Sequence, residues 1–381
     1  MKHATPIRIL RIIARMNVGG PAIQITNLMS EMNKNEFEQI LVTGYCGIHE
    51  KEYFDEYKPD FQVHRISELG VSVNIIKDLI AFLKILKEIY IFKPHIVHTH
   101  TSKAGVIGRV ACILYPKKIK IIHTYHGHIL YGYFPPWKTQ IIILLEKILA
   151  IWTHKIITVG ETVKKDLISA GIGREAKYLV INPGIQAIDK LEKSVCIKNF
   201  NIPEGKFIVT FVGRLTKIKR IDRLVEVIKK SKIESEQIYF IVAGGGIEEK
   251  YLIDQVEKYK LPVKYLGWVS NLAEIISVSN IFILTSDNEG TPISLIQGLV
   301  AGIPAISTNV GSVSDIIDDN KNGILTAANS DSIFEALKML GSNKEMYDSF
   351  VLNALESGKR KFSRERFIQN YEDLYIKVFN S

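Results

Sequence analysis

The sequence predicts a two-domain α/β protein, each domain a doubly wound parallel sheet, and three observations predict it. Short β-type runs alternate with segments of helical period from end to end, the pattern of parallel sheets covered on both faces by helices. The alternation stops once, at the Asn182-Pro183-Gly184 turn signal and a polar, lysine-rich stretch to Gly205, and begins again at Phe207. The chain has 381 residues, 46% hydrophobic and 23% charged, so each half can bury a core without a disulfide or metal staple.

In order along the first half, strands are expected at residues 7–13, 39–43, 61–66, 95–98, 120–124, 155–159 and 178–181. Each is a short run rich in Ile, Val or Thr, of a length a buried strand takes. Helices are expected between them at 22–32, 75–91, 104–114, 138–151 and 161–170. The apolar run 141–152 is interrupted by Glu146 and Lys147 and falls short of the roughly 20 residues of a membrane span, so it reads as a buried helix. Arg8 and Arg11 interrupt the run 7–14, so no secretory signal is expected there. The second half offers strands at 207–212, 238–243, 263–266, 281–284 and 305–307. Its most sharply bounded helix is 292–301, where Thr291 is the expected cap, Pro292 suits the first turn, and Gly302 with Pro304 stops it.

Composition narrows the function. Cys46, Cys112 and Cys196 are scattered and odd in number, which points away from a disulfide framework or zinc site and toward a reducing compartment, the cytoplasm. The net charge of +9 favours anionic partners such as phosphates, nucleotides or acidic headgroups. No basic tract interleaved with aromatics appears, so nucleic acid is not expected.

Four constellations carry chemistry. Gly19 and Gly20 lie between the first strand and helix, either a loop facing a phosphate or an ordinary strand-to-helix turn. Neither they nor Gly244-Gly245-Gly246 meet the dinucleotide fingerprint, so a nicotinamide dehydrogenase is not supported. Histidines cluster as His95/His98/His100 and His123/His126/His128 at strand ends, with no partner spacing for a metal. Alternation puts His98 and His100 on one face, where they are expected at a ligand-facing rim, while His95 and His123 also fit a structural role with backbone partners. In Gly213 to Arg220, Arg214 is expected at the strand end and Lys219 in the following helix's first turn, both converging on one anion. In Ser286 to Pro304, Glu289 stands just before the helix as an acceptor for ligand hydroxyls, Gly290 and Thr291 offer N–H groups to a phosphate, and Gln297 lies two turns along.

With these segments quoted, the chain resembles the retaining glycosyltransferases of the two-domain GT-B fold, specifically the large glycosyltransferase family four of bacterial surface polysaccharide and glycolipid synthesis. Its most specific marks are Gly213-Arg214 to Lys219 and Glu289-Gly290-Thr291-Pro292, in order. The resemblance implies two Rossmann-like domains facing across a cleft: residues 1–183 with the last helix, 364–381, binding the acceptor, and 184–363 binding a nucleotide-sugar, with the Asn182–Gly184 segment as a candidate hinge. It implies that Gly19 and Gly20 face the donor diphosphate, Arg214 and Lys219 neutralise it, and Glu289 holds donor-sugar hydroxyls. Gly290, Thr291 and Pro292 would lie beside sugar and phosphates, and His126 near the anomeric centre, making His126, Glu289, Arg214 and Lys219 the expected catalytic set. Gln297 stands where the family commonly has a second glutamate for the ribose.

The acceptor, a glycan or lipid-linked, is expected near His100, Lys103 and the aromatic loop containing Tyr131, which fits sugar stacking, lipid contact or a packed connection alike. No cofactor or metal is expected, UDP is the default nucleotide, and the positive balance would suit attachment at the inner face of the membrane. A GT-B nucleotide-sugar 2-epimerase and a catalytically silent nucleotide-sugar-binding subunit are the competing readings.

Overall fold

The computed structural model describes residues 5–47, 50–70, 72–127, 135–269 and 271–381. The chain divides into two units, Met1–Gly184 with Arg364–Ser381, and Ile185–Ser363. In the first, Ile- and Val-rich runs form seven parallel strands: β1 Ile7–Ile13, β2 Phe37–Thr43, β3 Gln62–Arg65, β4 Ile96–His100, β5 Lys120–Tyr125, β6 Lys155–Thr158 and β7 Tyr178–Val180, in sheet order β3-β2-β1-β4-β5-β6-β7. Between them run α1 Gly20–Glu31, α2 Ile75–Phe92, α3 Ser102–Leu114, α4 Pro136–Trp152 and α5 Glu161–Ser169. The order reverses between β1 and β4, the crevice where open α/β sheets take their ligands.

The second unit repeats the plan with α6 Lys193–Phe200, β8 Phe207–Val212, α7 Ile221–Glu234, β9 Ile238–Ala243, α8 Glu249–Tyr259, β10 Val263–Gly267, α9 Ala273–Val278, β11 Ile281–Leu284, α10 Ile293–Val300, β12 Ala305–Thr308, α11 Val313–Ile316, β13 Gly323–Thr326, α12 Ser330–Ser342 and α13 Lys344–Phe362. Its six parallel strands lie in order β10-β9-β8-β11-β12-β13, reversing between β8 and β11. The stretch expected to be a polar linker contains α6, because Cys196 and Ile202 are buried and anchor it.

The last helix, α14 Arg364–Phe379, packs on the first unit's sheet. Its Phe367, Tyr371, Leu374, Tyr375 and Val378 share a core with Ile7, Ile9, Ile96, Ile122 and Ile157. On the opposite face, α2 and α3 bury Ala81, Ile85, Ile89, Ala104 and Ala111 against Leu10, Ile12 and Val97.

Helix α4 departs from expectation: it is not a buried helix. Only Glu146, Leu149 and Ala150 are buried, while Ile141, Leu144 and Ile148 face outward. The inversion has its cause in partners distant along the chain. Glu146 is held by Arg109 at 2.7 Å and by the Tyr125 hydroxyl at 2.5 Å, so the charged side chain points inward to its partners and the apolar ones point out.

Candidate functional site

In the second unit, the loops after β8 and β11 are sewn together at the point where strand order reverses. Asp287 N–H donates to the Ile218 carbonyl at 2.9 Å, and the Thr285 hydroxyl donates to the Lys219 carbonyl at 2.9 Å. Arg223 donates to the Thr285 carbonyl at 2.5 Å and to Asp287 at 2.7 Å, and Arg220 grips Asp287 at 2.9 Å. Burial opposes the Asp287 charge, but these guanidinium hydrogen bonds outweigh it and hold its carboxyl below the usual range. Asp287 is therefore a clamp between loops.

That clamp sets Lys219 Nζ 2.5 Å from Glu289 Oε1, which also accepts from the Ser286 hydroxyl at 2.5 Å. Glu289 is buried, 6% exposed, and Lys219 and Ser286 are the polar partners of this oxygen. Lys219 sits on a 3-10 turn, Lys217–Lys219, and not in the first turn of α7; Arg220 adopts a left-handed conformation (φ 53°) that separates the two. Arg214 is exposed and forms no ion pair among the described residues. Helix α10 starts at Ile293 with Pro292 as its N-cap residue and no side-chain cap, so Thr291 is not the expected cap. Gly290 and Thr291 lie in the loop before it, where Ser312 N–H donates to the Glu289 carbonyl at 3.2 Å. The uncapped N–H groups of Ile293 and Ser294 mark the positive end of the helix dipole. Gln297 is half-buried one turn in, closer than the two turns expected.

Two further features were not legible as functional. Gly311 (φ 54°) comes so close to the Glu289 carbonyl that a Cβ there would lie 1.8 Å from it. Gly244 (φ 129°) packs as tightly on the Gly213 carbonyl, at 1.9 Å, and Leu215 N–H donates to the Gly245 carbonyl at 2.9 Å. The triple glycine thus fixes the Gly213–Arg214 loop by close backbone approach.

In the first unit, Gly19 is the N-cap residue of α1 and Gly20 its first residue, two positions before the expected start. Val18 N–H donates to the Lys51 carbonyl at 2.9 Å, fixing the loop. The histidines form a buried chain. His98 Nδ1 lies 3.2 Å from Arg11 and 2.6 Å from the Tyr375 hydroxyl, and its Nε2 2.7 Å from Thr124 Oγ1. It shares a face with His100, as alternation requires, their rings 4.2 Å apart, but it is fully buried and no rim residue. His100 Nδ1 lies 2.9 Å from His126 Nε2. Desolvation lowers all three, with further depression of His98 by Arg11 and of His100 by His98, and brings His126 to about 4.

His100 is thus buried, not an exposed acceptor contact. Lys103 is committed to the Ser72 carbonyl and the Asp78 carboxylate, both at 2.6 Å. Tyr131 and His128 lie outside the described residues. His95 is structural, accepting from Arg8 N–H at 3.0 Å. His123 Nδ1 lies 2.8 Å from Thr99 Oγ1. Among the described residues no three His, Cys, Asp or Glu side chains group to hold a metal ion.

Comparison with known proteins bears on both units. Residues 18–187 match the profile "Glycosyltransferase Family 4" and residues 193–357 match "Glycosyl transferases group 1". The Escherichia coli UDP-Gal:alpha-D-GlcNAc-diphosphoundecaprenol alpha-1,3-galactosyltransferase is 26% identical, over 80% of this chain and 81% of its own. The O-antigen biosynthesis glycosyltransferase WclY of Escherichia coli is 24% identical, over 98% and 99%. The Anabaena protein HepE in complex with UDP and glucose superposes with a TM-score of 0.82 at 16% identity, over 97% and 99%, which shows a shared fold.

Proposed function

We propose, for a chain that belongs to the group 1 glycosyltransferases of glycosyltransferase family four, a division of labour in which the second unit binds a UDP-sugar and the first an acceptor. The donor's nucleotide is inferred from the UDP named for the E. coli galactosyltransferase and for HepE. The acceptor is inferred from the diphosphoundecaprenol and O-antigen named for the relatives: a glycan or a lipid-linked sugar of a surface polysaccharide. Contact with an anionic membrane, at the inner face where such acceptors lie, belongs to the same proposal and is favoured by the net charge of +9.

One observation carries the reading: a lysine and a buried glutamate 2.5 Å apart, beside an uncapped helix N-terminus at the reversal point of a parallel sheet. Breaking the bond from the anomeric carbon to the diphosphate develops positive charge on the sugar and negative charge on the leaving oxygen. Lys219, Arg214 and the α10 N–H groups stabilise that leaving group. Glu289 accepts from donor-sugar hydroxyls, with Gly290, Thr291 and Pro292 beside it, and Gln297 bonds the ribose. Gly19 and Gly20 face the diphosphate, and His126 makes a polar contact near the anomeric carbon. The acceptor oxygen attacks on the face the diphosphate leaves, its proton passes to the departing phosphate oxygen, and the configuration is retained. His100, Lys103 and Tyr131 remain the proposed acceptor side, with His100 acting through His126.

Proton NMR of the protein with UDP-, GDP- and ADP-sugars tests this. Slow release of nucleotide and free sugar from a UDP-sugar is expected, with the released sugar first appearing in the donor's anomeric configuration. An isomerised nucleotide-sugar would overturn the reading in favour of an epimerase.

A further inference from the structure

Helices α2, α3 and α4 cover one face of the first sheet, with α3 in the middle and nearly buried. Their outer surface is greasy. On α2, Ile76, Leu79 and Leu83 are 72%, 58% and 56% exposed; on α4, Ile141, Leu144 and Ile148 are 51%, 59% and 43% exposed. Scattered apolar side chains need no explanation, but two stripes at helical spacing on the two helices that flank α3 do. In α4 the buried acid Glu146 faces inward beside Leu149 and Ala150, while Ile141, Leu144 and Ile148 face water.

The charges around the stripes have one sign. Across these three helices the acids are Asp78, Glu88 and Glu146, and each has a basic partner: Lys103, His64 and Arg109 respectively. Exposed Lys77, Lys87, Lys138 and Lys147 have no acidic partner among the described residues. Trp137 and Trp152, 61% and 46% exposed, stand at the two ends of α4, positions suited to rings lying at headgroup level. Among the described residues no helix is long and apolar enough to cross a membrane, so these helices would lie along it. A second copy fits poorly, because a two-fold contact on this face would set lysines against lysines with no free acid to answer them.

We propose that the outer face of α2 and α4 is the surface by which this protein lies on an anionic bilayer, its aliphatic stripes entering the headgroup boundary and its lysines meeting lipid phosphates. This rests on the lipid-side acceptor reading for its purpose, but its observations and its test are independent of transfer.

The test is flotation of the full chain with phosphatidylcholine vesicles, with and without phosphatidylglycerol. Binding is expected only with phosphatidylglycerol present, and added salt should weaken it. The double variant Leu144→Ser/Ile148→Ser should lose about tenfold or more in apparent affinity, while Leu352→Ser, on the exposed face of α13, leaves it unchanged. Unchanged circular dichroism and thermal midpoint establish that the double variant is folded. Absence of flotation with phosphatidylglycerol, or wild-type binding by the double variant, overturns the proposal. So does concentration-dependent dimerisation abolished by the double variant, which would make the face a subunit contact. Flotation without nucleotide release, or release without flotation, separates failure of one proposal from failure of the other.

Discussion

His100 Nδ1 and His126 Nε2 share one proton across 2.9 Å, the His100 ring buried and the His126 ring half-buried. The ring behind them is fixed: Arg11 can only donate, so His98 accepts at Nδ1, carries its proton on Nε2 and gives it to Thr124. No such partner fixes the outer pair, since His100 Nε2 and His126 Nδ1 have none among the described residues. Whichever ring donates, one outer nitrogen is an N–H and the other a lone pair. The pair therefore carries one donor and one acceptor on its outer nitrogens, and exchanging them takes two protons, the shared one across the 2.9 Å and a second from one outer nitrogen to the other.

Stability should fall with acid from near neutrality. His98, His100 and His126 are depressed by desolvation, so the unfolded chain takes up protons below about pH 6.5 that the folded chain refuses, down to about 4 for His126. Each ring that stays neutral removes up to ~1.4 kcal/mol of folding stability per pH unit in that window. Urea unfolding at pH 7, 6 and 5 measures it, and a midpoint that holds steady across the three would contradict the buried, neutral assignment.

Glu289→Gln keeps the shape and the Ser286 hydrogen bond but removes the charge facing Lys219. Loss of a charge-assisted bond to the donor sugar, about 1.5–3 kcal/mol, should cut nucleotide release about 10- to 100-fold with the fold intact. Lys219→Met leaves Glu289 buried with only Ser286, so it should also lower the thermal midpoint. Equal loss of stability in both variants with no loss of turnover would make the pair purely structural.

Gln297→Glu tests the ribose contact. The half-buried amide has room to be replaced, and a carboxylate accepts more strongly from ribose hydroxyls, so UDP affinity by calorimetry should rise about tenfold. Unchanged or weaker affinity would place the ribose elsewhere.

Gly311→Ala forces a Cβ against the Glu289 carbonyl at a left-handed φ of 54°. It should cost about 1–3 kcal/mol and displace Glu289, lowering donor affinity. Gly341→Ala, on α12 with open space around it, is the matched control and should be neutral or stabilising. Donor affinity unaffected by Gly311→Ala would detach this glycine from the site.

The strands were legible because buried parallel strands are near-continuous runs of β-branched residues, as at 7–13 and 207–212. The placing of Glu289 before a helix was legible for a similar reason, since Pro292, Gly302 and Pro304 bound that helix locally. What escaped depended on distant partners. Nothing near His98 announces Tyr375, and nothing near Glu146 announces Arg109, so a ligand-facing rim and a buried apolar helix were the natural local readings. Gly244 and Gly311 matter through the carbonyls they let approach, at Gly213 and Glu289, and these distances exist only in three dimensions.

The path of the chain also sets an order of assembly. Ile7 and Ile9 are made before the second unit, yet the residues that cover them, Leu374 and Tyr375, are made after it. The second unit is one uninterrupted segment, Ile185–Ser363, and has all its strands while the first still lacks α14. Synthesis and maturation thus run in opposite directions: the half begun first is finished last, and until then one side of its sheet and His98 stand open to chaperones and proteases.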